Sequence, residues 1–317
     1  MEKVLPPISS TPLTTLKAAQ RQLLLKPLDA AVFLAPWPNS TPVTPGSMTD
    51  ATGNLLALPA SYQSVGLIDK KSGVNFARAV TASPIEAYGE MQPVRDDITS
   101  DITTIEFEPQ QTNLLNLALT SNTNLASTQA AANGEVGFWQ PATPQINYYS
   151  AVVIGKDGTD AAPIYIFKIM PKVAVTKWGG EQWTPTNLMG EKLTLTAFKD
   201  DTLGYAVAHG FGGTGWQRLL SATGIKYTVS AITPAPISVT RGTTTSAPIV
   251  VTDQFGGILP NANCAFTPAG GSNITVSASG LVTAAANATV GNTTVGIVYT
   301  PTGGTALASV NCVVTVA

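Results

Sequence analysis

Charged side chains are scarce in this sequence: they make up 11% of its 317 residues, and the formal net charge is −2. In a typical soluble domain about 25% of the residues are charged. With so few lysines and arginines, the chain has no broad basic face with which to neutralise phosphates or anionic lipid. The composition therefore argues against tight nucleic-acid binding.

Long hydrophobic runs and an export signal are also missing. No stretch approaches the ~18 uninterrupted apolar residues that a transmembrane helix needs. The first residues, MEKVLPPISSTPLTTLK, have an acid and several prolines where a signal peptide has a continuous apolar core. We expect neither membrane insertion nor export by this route.

Residue types that carry catalysis or bind metals are few. The single histidine, His209, lies in GYAVAHGFGGTGW without a partner for a Ser-His-Asp or Cys-His arrangement. The two cysteines lack the C-x-x-C spacing of a zinc site. Residues 210–215 fit G-x-G-x-x-G, but no βαβ unit follows and no acid stands about 20 positions on. We predict no enzymatic activity, no cofactor and no metal.

The few charges are unevenly distributed. Residues 1–230 carry 16 basic and 18 acidic side chains, whereas residues 231–317 carry only Arg241 and Asp253. The prolines of SAITPAP interrupt regular strand pairing at the junction and stiffen a linker. We therefore place a domain boundary at 229–233.

The N-terminal segment is punctuated by proline. It begins with helix-compatible residues, but Pro27 would break a helix, and prolines recur up to residue 46. We predict an extended N-terminal arm over residues 1–50 that becomes ordered on assembly. The first folded domain then spans residues 51–230.

Short apolar and polar alternation dominates the rest of the chain. In the first domain, INYYSAVVIGKDG, PIYIFKIMPKVAVTKWG and GEKLTLTAFKDD predict three strands. QQTNLLNLALTSN, with leucines after an amide-rich start, predicts a short helix packed on the sheet. The whole chain is therefore expected to be all-β, or β-dominated.

The C-terminal domain at 231–317 predicts six or seven short strands with turns at glycines, which together form a small β-sandwich. Its run NITVSASGLVTAAANATVGNTTVGIVYT, with a final VVTVA strand, resembles the bacterial immunoglobulin-like domains of group 2. Cys264 and Cys312 both fall here. We interpret them as separate buried thiols because no export signal is present, with a disulfide as the alternative.

Acidic residues gather in one stretch, IEAYGEMQPVRDDITSDITTIEFEPQQTN, at residues 85–113. It predicts a hairpin with strands IEAYGEM and DITTIEFEP around a QPVRDD loop. Ile102, Ile105 and Phe107 would form the apolar face, and Thr104 with the neighbouring glutamates the acidic one. The candidate functional residues of this hairpin are Glu86, Tyr88, Glu90, Arg95, Asp96, Asp97, Asp101, Glu106 and Glu108.

These carboxylates do not form a pattern of catalysis or calcium binding. Glu106 and Glu108 are two apart on a strand and so lie side by side on one open face, whereas acid–base catalysis needs two carboxylates in different environments of a cleft. A calcium loop would need several ligands around a glycine. We interpret the stretch as a solvated acidic face.

The same stretch carries a resemblance. The pattern E-A-(W/Y)-G, then P-V-R, then D-I-T-S-D, followed by a strand and an amide-rich helix start, resembles the major tail protein, or tail tube protein, of long-tailed bacteriophages over residues 60–225. The resemblance implies a β-barrel or sandwich protomer with a flanking helix. It also implies six protomers per ring, rings stacked into a tube that passes duplex DNA, and a place in the virion tail after assembly in the host cytoplasm. The tape measure protein and the tail terminator or baseplate proteins would be further partners.

A conduit for DNA gives the acidic stretch a physical reason. Each lysine or arginine in the bore would add affinity for phosphate and retain the DNA, so an acidic wall is favoured, and the hairpin is the candidate wall. Strand edges would be used in pairing with the next protomer. Arg95 is the one base in this stretch, and it pairs either with an acid of a neighbouring protomer or with Asp97 or Asp101 of its own chain.

The immunoglobulin-like domain would lie outside the tube, where it binds host-surface glycans or serves as decoration. A rival hypothesis makes the chain a bacterial surface or adhesion module in which the first domain binds the ligand. Rings or hollow tubes in electron micrographs would favour the first hypothesis, and dispersed monomers the second.

Overall fold

The computed structural model describes residues 12–186 and 188–317. Strands make up 40% of it and helices 10%, which confirms the all-β prediction. The chain divides into two compact units, one at residues 25–216 and the other containing residues 217–317. We call them the N-terminal and the C-terminal unit.

The structural division precedes the boundary that the charge pattern placed at 229–233. The Tyr227 hydroxyl donates to the Asp253 carboxylate. The Gln254 amide donates to the Thr228 carbonyl (2.8 Å) and accepts from the Ser230 N–H (3.1 Å). The segment before the prolines is therefore bound to the C-terminal unit by side-chain hydrogen bonds, which a change in charge density does not reveal.

The N-terminal unit is built on one eight-stranded antiparallel sheet with the order β2-β1-β5-β6-β7-β4-β3, in which β8 pairs with β6. The predicted strands in the middle of the chain are confirmed as β5, β6 and β7. The strands are β1 (Asp29–Pro36), β2 (Gln63–Ser64), β3 (Asn75–Ile85), β4 (Arg95–Phe107), β5 (Tyr148–Thr159), β6 (Ala162–Glu181), β7 (Glu191–Phe198) and β8 (Ala208–Gly212).

Two short 3-10 helices, Arg21–Leu23 and Asn261–Asn263, and four short α-helices accompany the strands in the described part of the chain. The α-helices are α1 (Leu13–Lys17), α2 (Leu114–Ser121), α3 (Thr214–Gln217) and α4 (Leu220–Thr223). None of them is long and apolar enough to span a membrane.

Both faces of the central strands are buried. Side chains alternate between the two faces of a strand, so neighbours along β5 belong to different cores. One core joins the sheet to α2 through Val32, Leu34, Val153, Met170, Val173, Leu193, Leu195 and Leu119. The other core joins the opposite face to the loop before β2 through Val152, Ile154, Phe167, Ile169, Val43 and Met48.

The prediction of an extended arm over residues 1–50 is wrong for residues 29–36. These residues form β1, which pairs along its full length with β5. Val32, Leu34 and Ala35 are at most 1% exposed. The prolines misled the interpretation, because Pro27 precedes this strand and Pro36 ends it, so neither interrupts it. Residues 1–11 of the predicted arm lie outside the described residues.

The predicted leucine-rich helix is confirmed as α2. Asn113 caps its start by accepting the Asn116 N–H at 2.8 Å, as N-cap asparagines do. Asn122 ends it in the left-handed region, with φ 49°. Leu119 is 1% exposed and packs in the core of the sheet.

The C-terminal unit combines a four-stranded sheet, β10-β16-β15-β12, with two two-stranded ribbons, β11-β9 and β13-β14. A single core joins all three. The eight strands exceed the predicted six or seven because the proline-containing junction itself forms a strand at 232–234, and residues 274–284 form two short strands instead of one. They are β9 (Ile232–Pro234), β10 (Ile237–Val239), β11 (Val251–Asp253), β12 (Cys264–Pro268), β13 (Ile274–Val276), β14 (Val282–Ala284), β15 (Gly291–Tyr299) and β16 (Val310–Val316).

The two cysteines of this unit are free thiols, and the prediction that both are buried holds only for Cys312. Cys312 is buried in the core, and Cys264 lies at the start of β12 with partial exposure. Burial raises the pKa of both thiols. The alternative of a disulfide is therefore not realised.

Candidate functional site

The acidic stretch contributes to a hairpin, but with other strands than predicted. β4 contains 13 of its 29 residues, and β3, which precedes it, is the other strand of the hairpin. IEAYGEM was predicted as a strand, yet only its first residue belongs to one, since β3 ends at Ile85. Arg95, predicted in the loop, begins β4.

The connecting loop spans residues 86–94 and has its own turn chemistry. Gly89 adopts φ +92°, a conformation that favours glycine. The Glu90 N–H donates to the Ala87 carbonyl at 3.2 Å, and the Val94 N–H donates to the Ile85 carbonyl at 3.0 Å. These bonds close the hairpin within the segment whose alternation resembled a strand.

The candidate residues follow the hairpin and do not converge on a cleft. Glu86, Tyr88 and Glu90 lie in the loop, and Glu108 follows the end of β4. The others are distributed along β4: Arg95, Asp96, Asp97, Asp101 and Glu106.

The predicted apolar face is partly wrong. Ile105 and Phe107 are fully buried, but Ile102 is 45% exposed. Strand alternation places Ile102 on the same face as Thr104 and Glu106, opposite to Ile105. The parity of the positions therefore excludes a common face for all three apolar residues.

Several of the carboxylates are paired within the chain. Asp101 accepts two hydrogen bonds from the Arg78 guanidinium, at 2.8 Å from Nε and 2.6 Å from Nη2. Glu106 pairs with Lys192 at 2.8 Å. The hydrogen bonds with these bases hold the pKa of Asp101 and of Glu106 below their usual values.

Arg95 pairs with Asp97, which is one of the partners that the sequence left open: Arg95 Nε lies 2.6 Å from Asp97 Oδ1. The sequence interpretation missed Arg78 and Lys192 as partners. Arg78 stands in NFARAV opposite the acidic strand, so the correct hairpin register would have identified it. Lys192 belongs to β7, and only the tertiary fold brings it to Glu106.

The outer part of the β3–β4 hairpin, residues 77–103, is exposed on both faces. In β3 only Phe76 is even partly buried. β4 is paired with β7 only at 104–107, so for its remainder β3 is the one partner strand among the described residues. Large apolar side chains that stay exposed there are Val80 (48%), Ile85 (45%), Tyr88 (109%), Met91 (102%), Val94 (55%), Ile98 (70%) and Ile102 (45%).

The lone histidine lies elsewhere, on β8. His209 Nδ1 is 3.3 Å from Lys168 Nζ, and burial together with the charges of Lys168 and Arg78 lowers the pKa of His209. This neighbour supplies no carboxylate to orient the ring. Within the described ranges, no group of three or more His, Cys, Asp or Glu side chains is placed to hold a metal ion.

A search against protein-family models finds no match, and a search of curated proteins finds no significant relative. The family resemblance in the acidic stretch therefore stays a prediction from the sequence motif.

Proposed function

We propose that this protein is the tail tube protein of a long-tailed bacteriophage, six copies of which form each ring of a stacked tube through which DNA passes. The observation that carries the proposal is the β3–β4 hairpin, whose outer part is exposed on both faces while presenting aliphatic side chains. The motif resemblance of residues 60–225 supplies the kind of assembly.

An isolated two-stranded hairpin is at best marginally stable in water. The side chains Val80, Ile98 and Ile102 belong to neither core of the N-terminal unit, and they are 48%, 70% and 45% exposed. Burial against a neighbouring copy would stabilise each by on the order of 1 kcal/mol. The hairpin therefore suits a role in which a second copy completes its environment.

The outer edge of β3 supports the same role. This strand is 11 residues long and lies at the end of the sheet order. An exposed strand of that length invites pairing with another chain, which natural proteins usually prevent. In a closed ring, rotational symmetry gives every such edge a partner.

The charge of the hairpin fits a bore that conducts DNA. Residues 75–108 contain seven carboxylates and two arginines. Both arginines are engaged with carboxylates of the hairpin itself. A wall of this composition offers few cations to phosphate, so DNA would move along it without being retained.

The C-terminal unit would project outside the tube. Its immunoglobulin-like domain suits weak adhesion to host-surface glycans or simple decoration, and the tape measure and terminator proteins would contact the ends of the tube. These roles follow from the resemblance. The rival role is a bacterial adhesion module in which the N-terminal unit binds the ligand.

The test is the assembly state of the purified full-length protein. Light scattering after size exclusion and negative-stain electron microscopy should reveal rings or hollow tubes. The variant Ile98→Asn/Ile102→Asn should stay monomeric with an unchanged circular dichroism spectrum. Ile258→Asn is the matched control, because Ile258 is 75% exposed in the C-terminal unit, and it should assemble normally. Monomeric wild-type protein under all conditions would refute the proposal.

A further inference from the structure

A cavity of about 420 Å³ lies in the N-terminal unit between α2 and the β6–β7 connection. Its described lining contains no lysine, arginine or histidine. The side chains that determine its chemistry are Asn116, Phe138, Glu181, Trp183, Met189 and Glu191. The described lining thus presents carboxylates and aromatic rings, but no positive charge.

The two carboxylates stand directly opposite each other. Glu181 ends β6, Glu191 begins β7, and the two form a Cα pair across the strands. Like charges in such a position destabilise a sheet. Burial raises the pKa of Glu191, and the charge of Glu181 raises it further, against a hydrogen bond from the Gly180 N–H.

The neighbouring lysine does not neutralise this pair. Lys192 follows Glu191 in β7, so alternation places it on the opposite face of the strand. There it pairs with Glu106 at 2.8 Å. Lys192, the nearest base in the sequence, therefore does not balance the charge of the two glutamates in the cavity.

One residue of the lining has a buried amide oxygen for which the described residues supply no donor. Asn116 is only 4% exposed. Its Nδ2 donates to the carbonyls of Val65 and Gln111, at 2.8 and 2.7 Å. Its Oδ1 is buried without a hydrogen-bond partner in the part of the chain that the structure describes. Buried acceptors without a donor are costly and rare.

Aromatic side chains occupy the same wall. Trp183 is 80% exposed and Phe138 is 37% exposed. Aromatic faces attract cations, tryptophan most strongly. An exposed tryptophan beside two carboxylates combines the two interactions that recognise an organic cation.

We propose that this cavity binds an alkylammonium or alkylguanidinium cation, which pairs with Glu181 and Glu191 while its alkyl part packs on Trp183. The cation can be a free amine or the side chain of a lysine or arginine from a second copy of the chain. The proposal does not depend on the tube, because every described residue of the cavity lining belongs to one N-terminal unit.

Isothermal calorimetry on the full-length protein tests the proposal with butylguanidinium chloride as the probe and butyramide as its neutral counterpart. We expect saturable binding of butylguanidinium alone. Glu181→Gln/Glu191→Gln should weaken it at least tenfold, and Trp183→Ala several-fold. Asp201→Asn, in the exposed turn after β7 and outside the cavity lining, is the matched control and should bind as the wild type does. Binding that survives the double glutamine substitution, or equal binding of butyramide, would overturn the proposal.

Folding of the double variant is checked by its thermal midpoint. Without ligand the midpoint should equal or exceed that of the wild type, because a repulsion has been removed. Butylguanidinium should raise the midpoint of the wild type and leave that of the variant unchanged.

The two sources of the cation are separated by light scattering. If a second copy supplies it, butylguanidinium should dissociate oligomers that sodium chloride of equal ionic strength leaves intact, and the double variant should not form them. If a free amine is the ligand, calorimetric binding occurs without any change in mass. If the double variant forms normal tubes, the proposed tube function is not affected. If neither calorimetry nor light scattering detects binding, only the proposed cation site is refuted.

Discussion

Two antiparallel pairs of the same sheet have opposite surroundings. β5 and β6 lie in the middle of the sheet, and their side chains enter one core on each face. β3 and β4 lie at the end of the sheet, and they enter a core only where the start of β3 meets the end of β4. Both pairs form the same kind of antiparallel backbone hydrogen bonds. These bonds alone therefore do not explain the length of the β3–β4 pair.

The difference teaches where the stability of each pair originates. Burial on both faces stabilises β5 and β6 within one chain. The outer part of the hairpin lacks this contribution, yet it retains aliphatic side chains that solvent contact does not require. We therefore infer that its stabilising contacts come from another copy.

The largest expected effect on stability comes from replacing one isoleucine in each strand pair with alanine and comparing the two losses. Ile169 in β6 is 2% exposed and Ile98 in β4 is 70% exposed. Ile169→Ala should lower the free energy of unfolding by about 2–5 kcal/mol. Ile98→Ala should change it by about 0.5 kcal/mol or less in the monomer. Urea denaturation at low protein concentration measures both, and equal losses would erase the distinction between the pairs.

The next effect concerns assembly alone. Arg95→Glu removes the ion pair with Asp97 and adds a carboxylate beside Asp96 and Asp97. Repulsion should then block polymerisation of a protein that remains folded by circular dichroism. Arg241→Glu, in the C-terminal unit, is the control for a charge reversal and should polymerise. Normal tubes from the Arg95 variant would show that the hairpin's charge is irrelevant to assembly.

A smaller effect is expected from acid. The hydrogen bond from Arg78 lowers the pKa of Asp101, so this pair stabilises the fold above the unfolded-state pKa of aspartate, about 3.9. The contribution is lost as the pH falls through the lower pKa of the folded state. Because the pair is exposed, Arg78→Gln should lower the thermal midpoint only slightly at neutral pH. The difference from the wild type should disappear in strong acid, and a difference that grows there would contradict this assignment.

The smallest effect is expected from removing the C-terminal unit. A chain that ends at Gln217 keeps α3 complete and leaves the N-terminal unit without its neighbour. It should form the same tubes that we propose for the full-length protein. Loss of tubes in electron micrographs would show that the C-terminal unit takes part in assembly.

The sequence predicted the elements whose pattern is local. β5, β6, β7 and α2 were recovered from alternation and from an amide-rich helix start. β1 was missed because proline was taken as a breaker, although here it marks the ends of the strand. Its partner β5 lies more than a hundred residues away, and no local pattern reports such a pairing.

The candidate site was recovered in composition but not in register. The acids were located correctly, but β3 was placed too late because IEAYGEM alternates like a strand. Gly89 and the bond between Val94 and Ile85 make that segment a loop. The cavity with Glu181 and Glu191 was not predicted at all, because its lining comes from four separate segments.

The central claim, that a second copy completes the hairpin, is tested most directly by hydrogen–deuterium exchange of the backbone amides in residues 77–103. The account predicts rapid exchange of the outer hairpin amides in the monomer and strong protection in the assembled protein, while β5 and β6 are protected in both. Unchanged exchange of the hairpin upon assembly, with new protection elsewhere, would contradict it.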